Sequence, residues 1–179
     1  NKESASEMTG KFSWKMKEQE PNSWRRVVSS PTPQYLFNGN SIKHMMEFGT
    51  IVIAAGGGGI PAYIKEDKGL RLVDGVIDKD MTSALLARIV KSEEFFIITD
   101  VHHACLNYGS NDAKKIHKST LEEMKSWLKE GHFKEGTMKP KIEAAIYFLE
   151  HHGEKVIITS IDNIENAIQG KSGTIIKKA

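Results

Sequence analysis

The tripeptide Asp78-Lys79-Asp80 places a lysine between two carboxylates, directly before a stretch with helical periodicity. Phosphoryl transfer needs cations that neutralise the moving phosphoryl group and anions that hold those cations in position. The carboxylates would fix the ammonium group of Lys79, and the start of a helix would add positive potential. Taken alone, such a tripeptide is more often an exposed helix start with Asp78 as the N-cap.

A second lysine follows the loop Gly136-Thr137-Met138-Lys139-Pro140. Proline favours the first turn of a helix, so we predict a helix over residues 141–151 that carries Lys141 in its first turn. Helix side chains tilt toward the N-terminus, so Lys141 would reach back to the loop and could meet a phosphate there. The alternative is an exposed lysine on an ordinary helix.

Four consecutive glycines directly follow the apolar run at residues 50–55. Without side chains, their N–H groups can form a nest that binds a phosphate or a carboxylate. A flexible turn is the alternative. The spacing matches neither a P-loop nor a dinucleotide-binding fingerprint. The glycines are Gly56, Gly57, Gly58 and Gly59.

A fourth candidate position lies at the end of the apolar run 94–100, where Thr99, Asp100 and Val101 precede His102 and His103. Aspartates at strand ends commonly bind nucleotides, metals or neighbouring backbone. Two adjacent histidines would diverge on a strand, and no third ligand has a suitable spacing to them. We therefore predict no metal site at this pair.

The runs of apolar and β-branched residues predict buried strands, and the segments between them predict helices. Strand and helix alternate, which indicates an α/β fold with a mainly parallel sheet covered by helices on both faces. In such sheets ligands bind beyond the carboxyl ends of the strands. The predicted strands are 50–55, 94–100, 156–160 and 173–176, and the predicted helices are 42–48 (capped by Asn40 or Ser41), 80–90, 120–128 (capped by Ser119 or Thr120 and ended by Gly131), 141–151 and 163–169.

Composition narrows the classes of protein to consider. The 179 residues carry a formal charge of +2, with basic and acidic residues intermixed, so no dense basic face for nucleic acid is expected. No apolar run approaches the length of a membrane span. The one cysteine, Cys105, permits no internal disulfide and fits a reducing compartment, so we expect a cytoplasmic protein.

In this order, the motifs closely resemble those of the carbamate kinases. The resemblance implies the amino-acid kinase fold, a three-layer αβα sandwich with a mainly parallel central sheet. It also implies reversible transfer between ATP and carbamate, giving ADP and carbamoyl phosphate with Mg²⁺, often for ATP generation in arginine fermentation, by cytoplasmic homodimers. The stretches that carry the resemblance are residues 24–31, 51–61, 75–80, 97–101, 130–133, 136–145, 157–160 and 170–174.

The resemblance also implies roles for individual residues. By position, Lys79 and Lys141 would stabilise the transferred phosphoryl group, and Asp80 would orient both lysines. The glycines at 56–59 would line the site near the small substrate. Residues 1–40 would be a remnant of the lid lobe with its lead-in segment, and residues 41–179 the nucleotide-binding part. The residues that would seat the nucleotide are Asp78, Thr99, Asp100, Val101 and Met138.

Two departures from the family pattern leave alternatives open. The N-terminal half of these kinases, with its Gly-Gly-Asn loop, has no counterpart here, so we expect half of the site to lie outside this sequence. The segment His102-His103-Ala104-Cys105 replaces an acidic residue followed by glycine or asparagine, which alters the expected nucleotide rim. The alternatives are a truncated, catalytically impaired paralogue that acts as a binding module, or a sibling kinase that phosphorylates a carboxylate.

Overall fold

The computed structural model describes residues 1–67 and 69–178. The chain forms two compact units, one from Asn1–Pro31 with Ile60–Ile77 and one from Thr32–Gly59 with the chain from Asp78 onwards. The prediction divided the chain by function at residue 40, and that functional division stays a prediction. No helix in the described part of the chain is long and apolar enough to cross a membrane.

The first unit consists of one helix and two hairpins. Helix α1 (Lys2–Phe12) packs near the hairpin of β1 (Lys15–Glu20) and β2 (Ser23–Val27). There Phe12 stacks on Trp14, and the guanidinium of Arg26 lies 4.4 Å from the Trp14 ring centroid. Arg26 also forms an ion pair with Asp74. The elements are α1 (Lys2–Phe12), β1 (Lys15–Glu20), β2 (Ser23–Val27), β3 (Ala62–Ile64) and β4 (Leu70–Leu72).

The second unit contains the remaining helices and strands. They are α2 (Gly39–Glu47), α3 (Lys79–Val90), β5 (Glu94–Thr99), β6 (Cys105–Leu106), β7 (Lys114–Lys115), β8 (Lys118–Thr120), α4 (Leu121–Lys129), α5 (Met138–Glu150), β9 (Lys155–Ser160), a 3₁₀ turn (Ile161–Asn163), α6 (Ile164–Ile168) and β10 (Thr174–Lys177).

A four-stranded sheet in the order β5-β9-β10-β8 forms the centre of the second unit. Strand β9 pairs in parallel with β5, with Thr99 opposite Ser160, and β10 pairs in parallel with β8. Only the β9–β10 pairing is antiparallel. The predicted mainly parallel sheet is therefore confirmed, and so are the strands at 94–100, 156–160 and 173–176 to within a residue or two at either end.

Helices cover both faces of this sheet. Val156 and Ile158 of β9 are fully buried and pack in one apolar cluster with Phe148 of α5. Side chains alternate along a strand, so Thr159 lies on the opposite face, where it accepts a hydrogen bond from Asn163 at the start of α6. The sandwich of helix, sheet and helix agrees with the prediction.

The predicted buried strand at residues 50–55 is wrong. This segment belongs to no strand of the structure, and Ile51 and Ile53 are 94% and 99% exposed. The apolar, β-branched composition is that of a buried parallel strand, but a strand also needs a neighbour for its backbone hydrogen bonds. The composition of a segment indicates its tendency to form a strand but does not show whether a neighbouring strand is available to pair with it.

Several helix boundaries also differ from the prediction. Helix α5 begins at Met138 rather than Lys141, because Pro140 occupies the third helical position, where no intrahelical N–H bond is lost. Helix α2 begins at Gly39 with Asn38 as its N-cap, rather than Asn40 or Ser41. The predicted helix 163–169 is present as the short α6, which begins and ends one residue inside the predicted range and follows the 3₁₀ turn Ile161–Asn163.

Helix α4 has the predicted start and end. Thr120 and Glu123 form a capping box, in which each side chain accepts a hydrogen bond from the backbone N–H of the other. Gly131 follows the helix with a φ of 82°, a backbone conformation that residues other than glycine rarely adopt.

Candidate active site

Asp78 caps the helix that carries the first catalytic candidates. Its carboxylate accepts a hydrogen bond from the backbone N–H of Met81 at 2.9 Å, which confirms the expected N-cap. The single hydroxyl hydrogen of Thr82, in the first turn, is shared between the carbonyl oxygens of Gly58 and Asp78, which lie 2.9 and 3.0 Å from the hydroxyl oxygen. The buried Thr82 therefore joins the glycine run to the start of α3.

One carboxylate oxygen of Asp80 contacts both candidate lysines. Lys141 Nζ lies 2.8 Å from Asp80 Oδ2, and Lys79 Nζ lies 3.4 Å from the same atom. Asp80 and Lys141 keep only 13% and 12% of their side-chain exposure, whereas Lys79 keeps 56%. The structure thus brings together all three residues that the sequence predicted to act in phosphoryl transfer.

The close packing of α3 against α5 explains this meeting of residues 61 positions apart. Ala84 of α3 and Ala144 and Ala145 of α5 are fully buried in the same cluster. Such small side chains let two helix backbones approach closely. The first turns of both helices therefore present their charged residues to one place.

The Lys79–Asp80–Lys141 cluster carries one net positive charge. Each ammonium group has three N–H donors, so both lysines retain donors after contacting Asp80. Lys141 is held in a partly buried ion pair, and Lys79 is the more accessible cation. Such a cluster can bind an anion and stabilise negative charge that develops on it.

A pocket of about 360 Å³ opens beside this cluster, entirely within the second unit. Eight of the residues predicted from the sequence line it: Asp78, Lys79, Asp80, Thr99, Asp100, Val101, Met138 and Lys141. Thr99 donates a hydrogen bond from its hydroxyl to the Asp100 carboxylate at 3.0 Å. As expected of an α/β sheet, the pocket lies beyond the carboxyl end of β5.

The glycine run is not part of the pocket wall. Gly58 is buried and accepts the bond from Thr82, so the run lies beside the first turn of α3. Gly56 and Gly59 have φ angles of 67° and 95°, but a side chain there would meet nothing within 4 Å. Backbone conformation, rather than lack of space, thus favours glycine at both positions. A substrate-binding role for residues 56–59 stays a prediction.

Several pocket residues escaped the prediction. Tyr108 follows the short strand β6, and Phe133 and Lys134 lie in the loop between α4 and α5. Two-residue strands such as β6 and β7 leave no periodic signal in a sequence. The sequence feature that could have indicated this part of the pocket is the aromatic Phe133 between Gly131 and Gly136. The wall also contains His103 and Cys105 from the segment that departs from the family pattern.

The two adjacent histidines have different surroundings. His102 Nδ1 lies 2.6 Å from the Ser160 hydroxyl oxygen, at the end of β9. His103 packs edge-to-face on His117 with 4.6 Å between ring centroids. The pKa of His103 is lowered by its burial, and then by electrostatic interaction with His117, Lys115 and His102. These surroundings favour the neutral form of the imidazole.

Comparisons with known proteins identify the family of the chain. The model of the amino acid kinase family matches residues 5–160. The carbamate kinase of Thermococcus kodakarensis is 44% identical over 97% of this chain and 55% of its own length. That of Thermoplasma acidophilum is 45% identical over 86% of this chain and 50% of its own length. The chain thus spans about half the length of the curated relatives it matches.

A solved structure is similar over the whole chain. The carbamate kinase of Giardia lamblia bound to AMP-PNP superposes with a TM-score of 0.86 at 38% identity, covering 100% of this chain and 56% of that one. The resemblance found in the sequence motifs is confirmed. From the family match over most of its residues, the shared fold and these relatives, the chain belongs to the amino acid kinase family.

Proposed function

We propose that this chain is the nucleotide-binding portion of a carbamate kinase, which transfers a phosphoryl group reversibly between ATP and carbamate. The observation that carries the proposal is the contact of one Asp80 oxygen with the ammonium groups of both Lys79 and Lys141. Carbamate kinases are also the relatives that match most of this chain.

The cluster suits the transition state of phosphoryl transfer. Negative charge is spread over the oxygens of the moving phosphoryl group, and catalysis depends on positioning and on electrostatic stabilisation. Lys79 and Lys141 would contact those oxygens, while Asp80 holds both ammonium groups at fixed positions. Because Asp80 is already shared by two cations, it is a positioning residue rather than a base.

The pocket beside the cluster would hold the nucleotide. Its volume is in the range of small-molecule sites, and its wall mixes charged residues with apolar ones such as Val101 and Met138. Thr99, Asp100 and the first turn of α3 at Asp78 would contact the ribose and phosphates. The relative from Giardia lamblia bound to AMP-PNP supports an ATP-type ligand.

Mg²⁺ would enter with the nucleotide. Among the residues that the structure describes, no three His, Cys, Asp or Glu side chains are arranged to hold a metal ion. Mg²⁺ typically binds through phosphates, waters and one or two carboxylates rather than in a protein cage. Asp100 lines the pocket and can supply such a carboxylate. The ion would add charge neutralisation at the phosphates.

The carbamate side of the reaction would involve the glycine run at residues 56–59, which lies next to the first turn of α3. Because the chain spans about half the length of its relatives, we propose that further substrate-binding groups belong to the remaining half of the kinase. The proposal includes a cytoplasmic homodimer that generates ATP from carbamoyl phosphate in arginine breakdown.

ATP formation from ADP, by the kinase that contains both this chain and the remaining half, tests this proposal. Carbamoyl phosphate, acetyl phosphate and an aminoacyl phosphate are offered as donors in separate assays, with and without Mg²⁺. We expect ATP from carbamoyl phosphate alone, and a loss of kcat/KM on the order of 10²-fold in Lys141→Ala, as for removal of one transition-state donor. Lys129→Ala, an exposed lysine at the end of α4, is the matched control.

Two outcomes would redirect the assignment. ATP from another acyl phosphate but not from carbamoyl phosphate would identify a sibling kinase that acts on a carboxylate. Binding of ADP without turnover of any donor, with both halves of the kinase present, would identify a binding module instead of an enzyme.

A further inference from the structure

The loop between β6 and β7, residues 107–113, contributes Tyr108 to the pocket wall. Tyr108 is 65% exposed, so a ligand in the pocket can reach it. The two strands that flank the loop pair over only two residues each, and a hairpin this short is marginally stable by itself. The position of Tyr108 therefore depends on contacts between the loop and the rest of the second unit.

A hydrogen bond connects this loop to the segment that follows α4. His132 Nδ1 lies 2.6 Å from Asn107 Oδ1. Among the residues that the structure describes, this is the only hydrogen bond from the 107–113 loop to a residue outside the hairpin. The bond from the Ser110 N–H to the Asn107 carbonyl, for example, stays within the loop. Asn107 directly precedes Tyr108, so the contact with His132 holds the chain next to the pocket residue.

His132 is held in place by its own surroundings. Its N–H donates to the carbonyl of Trp127 near the end of α4, and the next residue, Phe133, is buried in the apolar core. Nε2 of the ring lies 3.1 Å from Glu130 Oε2, and the Ser126 hydroxyl donates to the other Glu130 oxygen at 2.7 Å. Hydrogen bonds from Ser126 and His132 lower the pKa of Glu130, which favours the carboxylate that orients the ring. His132 is thus the fixed partner of its contact with Asn107.

Tyr108 and the lysines of the pocket suit different parts of a nucleotide. Lys79 and Lys141 suit the phosphates, whereas an aromatic ring suits the flat face of a base. Immobilising one side chain on binding typically lowers affinity by a factor of about 3 to 10. A loop that is held in place beforehand avoids this loss, so the contact of His132 with Asn107 has a consequence for ligand affinity.

We propose that His132 is a positioning residue of the nucleotide site, which holds Tyr108 in the pocket wall through Asn107 before a nucleotide binds. The inference rests on the proposed nucleotide site and adds a residue to it. His132 is not among the described residues that line the pocket. It would therefore act through Tyr108 rather than on the ligand, and would contribute to binding and not to the transfer step.

Calorimetric titration with two probes tests this role. ADP contains the base and the phosphates, whereas pyrophosphate contains only the phosphates. For His132→Ala we expect ADP affinity to fall about 3- to 10-fold, with pyrophosphate affinity changed less than about twofold. His132→Asn should retain most of the ADP affinity, because its amide nitrogen is as many bonds from the backbone as Nδ1 and can donate to Asn107. His44→Ala, at an exposed histidine on α2, is the matched control and should leave both affinities unchanged.

A second variant shows whether His132 acts through Tyr108. Tyr108→Ala should weaken ADP binding at least as much as His132→Ala does. In the Tyr108→Ala background, His132→Ala should change ADP affinity by less than about twofold, because the side chain that it positions is already absent. Independent effects that multiply would contradict this route.

The mobility of the loop gives a measurement that needs no ligand. The NMR order parameter of the Tyr108 backbone amide should be about 0.85 in the wild-type chain and below about 0.6 in His132→Ala. Asn107→Gly removes the same hydrogen bond from the other side and replaces His132→Ala if that variant fails to fold. Asn107 has a φ of 51°, which glycine adopts without strain.

Unchanged ADP affinity in His132→Ala, or equal losses for ADP and pyrophosphate, would overturn the positioning role. An order parameter of Tyr108 that is the same in the wild-type chain and in the variant would also overturn it. If Lys141→Ala weakens ADP binding while His132→Ala does not, only this inference fails. If the wild-type chain binds neither probe, the proposed nucleotide site fails and this inference fails with it.

Discussion

The substitution Asp80→Asn removes the negative charge that both active-site lysines share. Lys141, at 12% exposure, then becomes a nearly buried cation without a counter-charge. Lys79 loses the same partner but remains 56% exposed and in contact with water. The two lysines should therefore respond very differently, and this contrast makes the substitution informative about the site.

The size of the effect follows from the geometry. At 2.8 Å and an effective dielectric constant of about 20, the gross attraction between Asp80 and Lys141 is about 6 kcal/mol. Desolvation of the pair offsets much of this, and removing one partner of a buried pair typically costs about 3–5 kcal/mol. Some exposure remains on both groups, so we expect Asp80→Asn to lower the free energy of unfolding by about 3 kcal/mol.

Urea denaturation followed by circular dichroism measures this change. With a denaturant slope of about 2 kcal/mol per molar, a loss of about 3 kcal/mol lowers the midpoint by about 1.5 M. Double-mutant cycles then separate the two lysines. The coupling energy of Asp80 with Lys141, measured through Lys141→Met, should be about 2 kcal/mol or more, whereas that with the exposed Lys79 should be about 0.5 kcal/mol.

A midpoint shift below about 0.3 M for Asp80→Asn would refute the reasoning. Equal coupling energies for Lys79 and Lys141 would refute it as well, because the difference in burial would then have no energetic consequence. The control Lys129→Ala, at an exposed site, should leave the free energy of unfolding unchanged within about 0.5 kcal/mol.

Three further predictions concern the scaffold of the second unit. Thr120→Ala removes the capping box of α4 and should cost about 1 kcal/mol of stability in urea denaturation, whereas Thr120→Ser should cost less; equal losses would contradict the cap. Gly153→Ala places a methyl group against the buried ring of Phe148 and should cost about 1–3 kcal/mol, which would lower the melting temperature; an unchanged melt would show that the ring moves freely. Burial lowers the pKa of His103, so below about pH 6.5 the unfolded chain binds more protons than the folded chain. The free energy of unfolding should therefore decrease as the pH is lowered through that range. His103→Ala should flatten this pH dependence, and an unchanged slope would contradict it.

The sequence predicted the elements whose structure depends on residues close together in the chain. Thr120 and Glu123 bond to each other across one helical turn, so a four-residue pattern reveals the cap. Strand β9 is predicted from its sequence as a buried strand, and the structure agrees, because all five residues from Val156 to Ser160 are buried and the strand is therefore covered on both faces. Its neighbours in the sheet could not be predicted from such runs, because pairing depends on residues distant in the chain.

The candidate site also contains residues that the sequence identified and residues that it did not. The individual positions of Lys79, Asp80 and Lys141 came from motif spacing and family resemblance, and their contact depends on the packing of α3 against α5. Tyr108 and Phe133 were missed because loops and very short strands bring them to the pocket. The segment at residues 50–55 was misassigned because its composition indicates burial while its surroundings in this chain provide no partner strand.

Calorimetric titration of this chain with ADP tests the central claim most directly, namely that the Lys79–Asp80–Lys141 cluster and its pocket form a nucleotide site. We predict saturable binding of one ADP per chain, weakened at least about tenfold by Lys141→Ala, as expected for loss of a charge-assisted contact, and unaffected by Lys129→Ala. Equal ADP affinity in the wild-type chain and Lys141→Ala would contradict the assignment of this cluster.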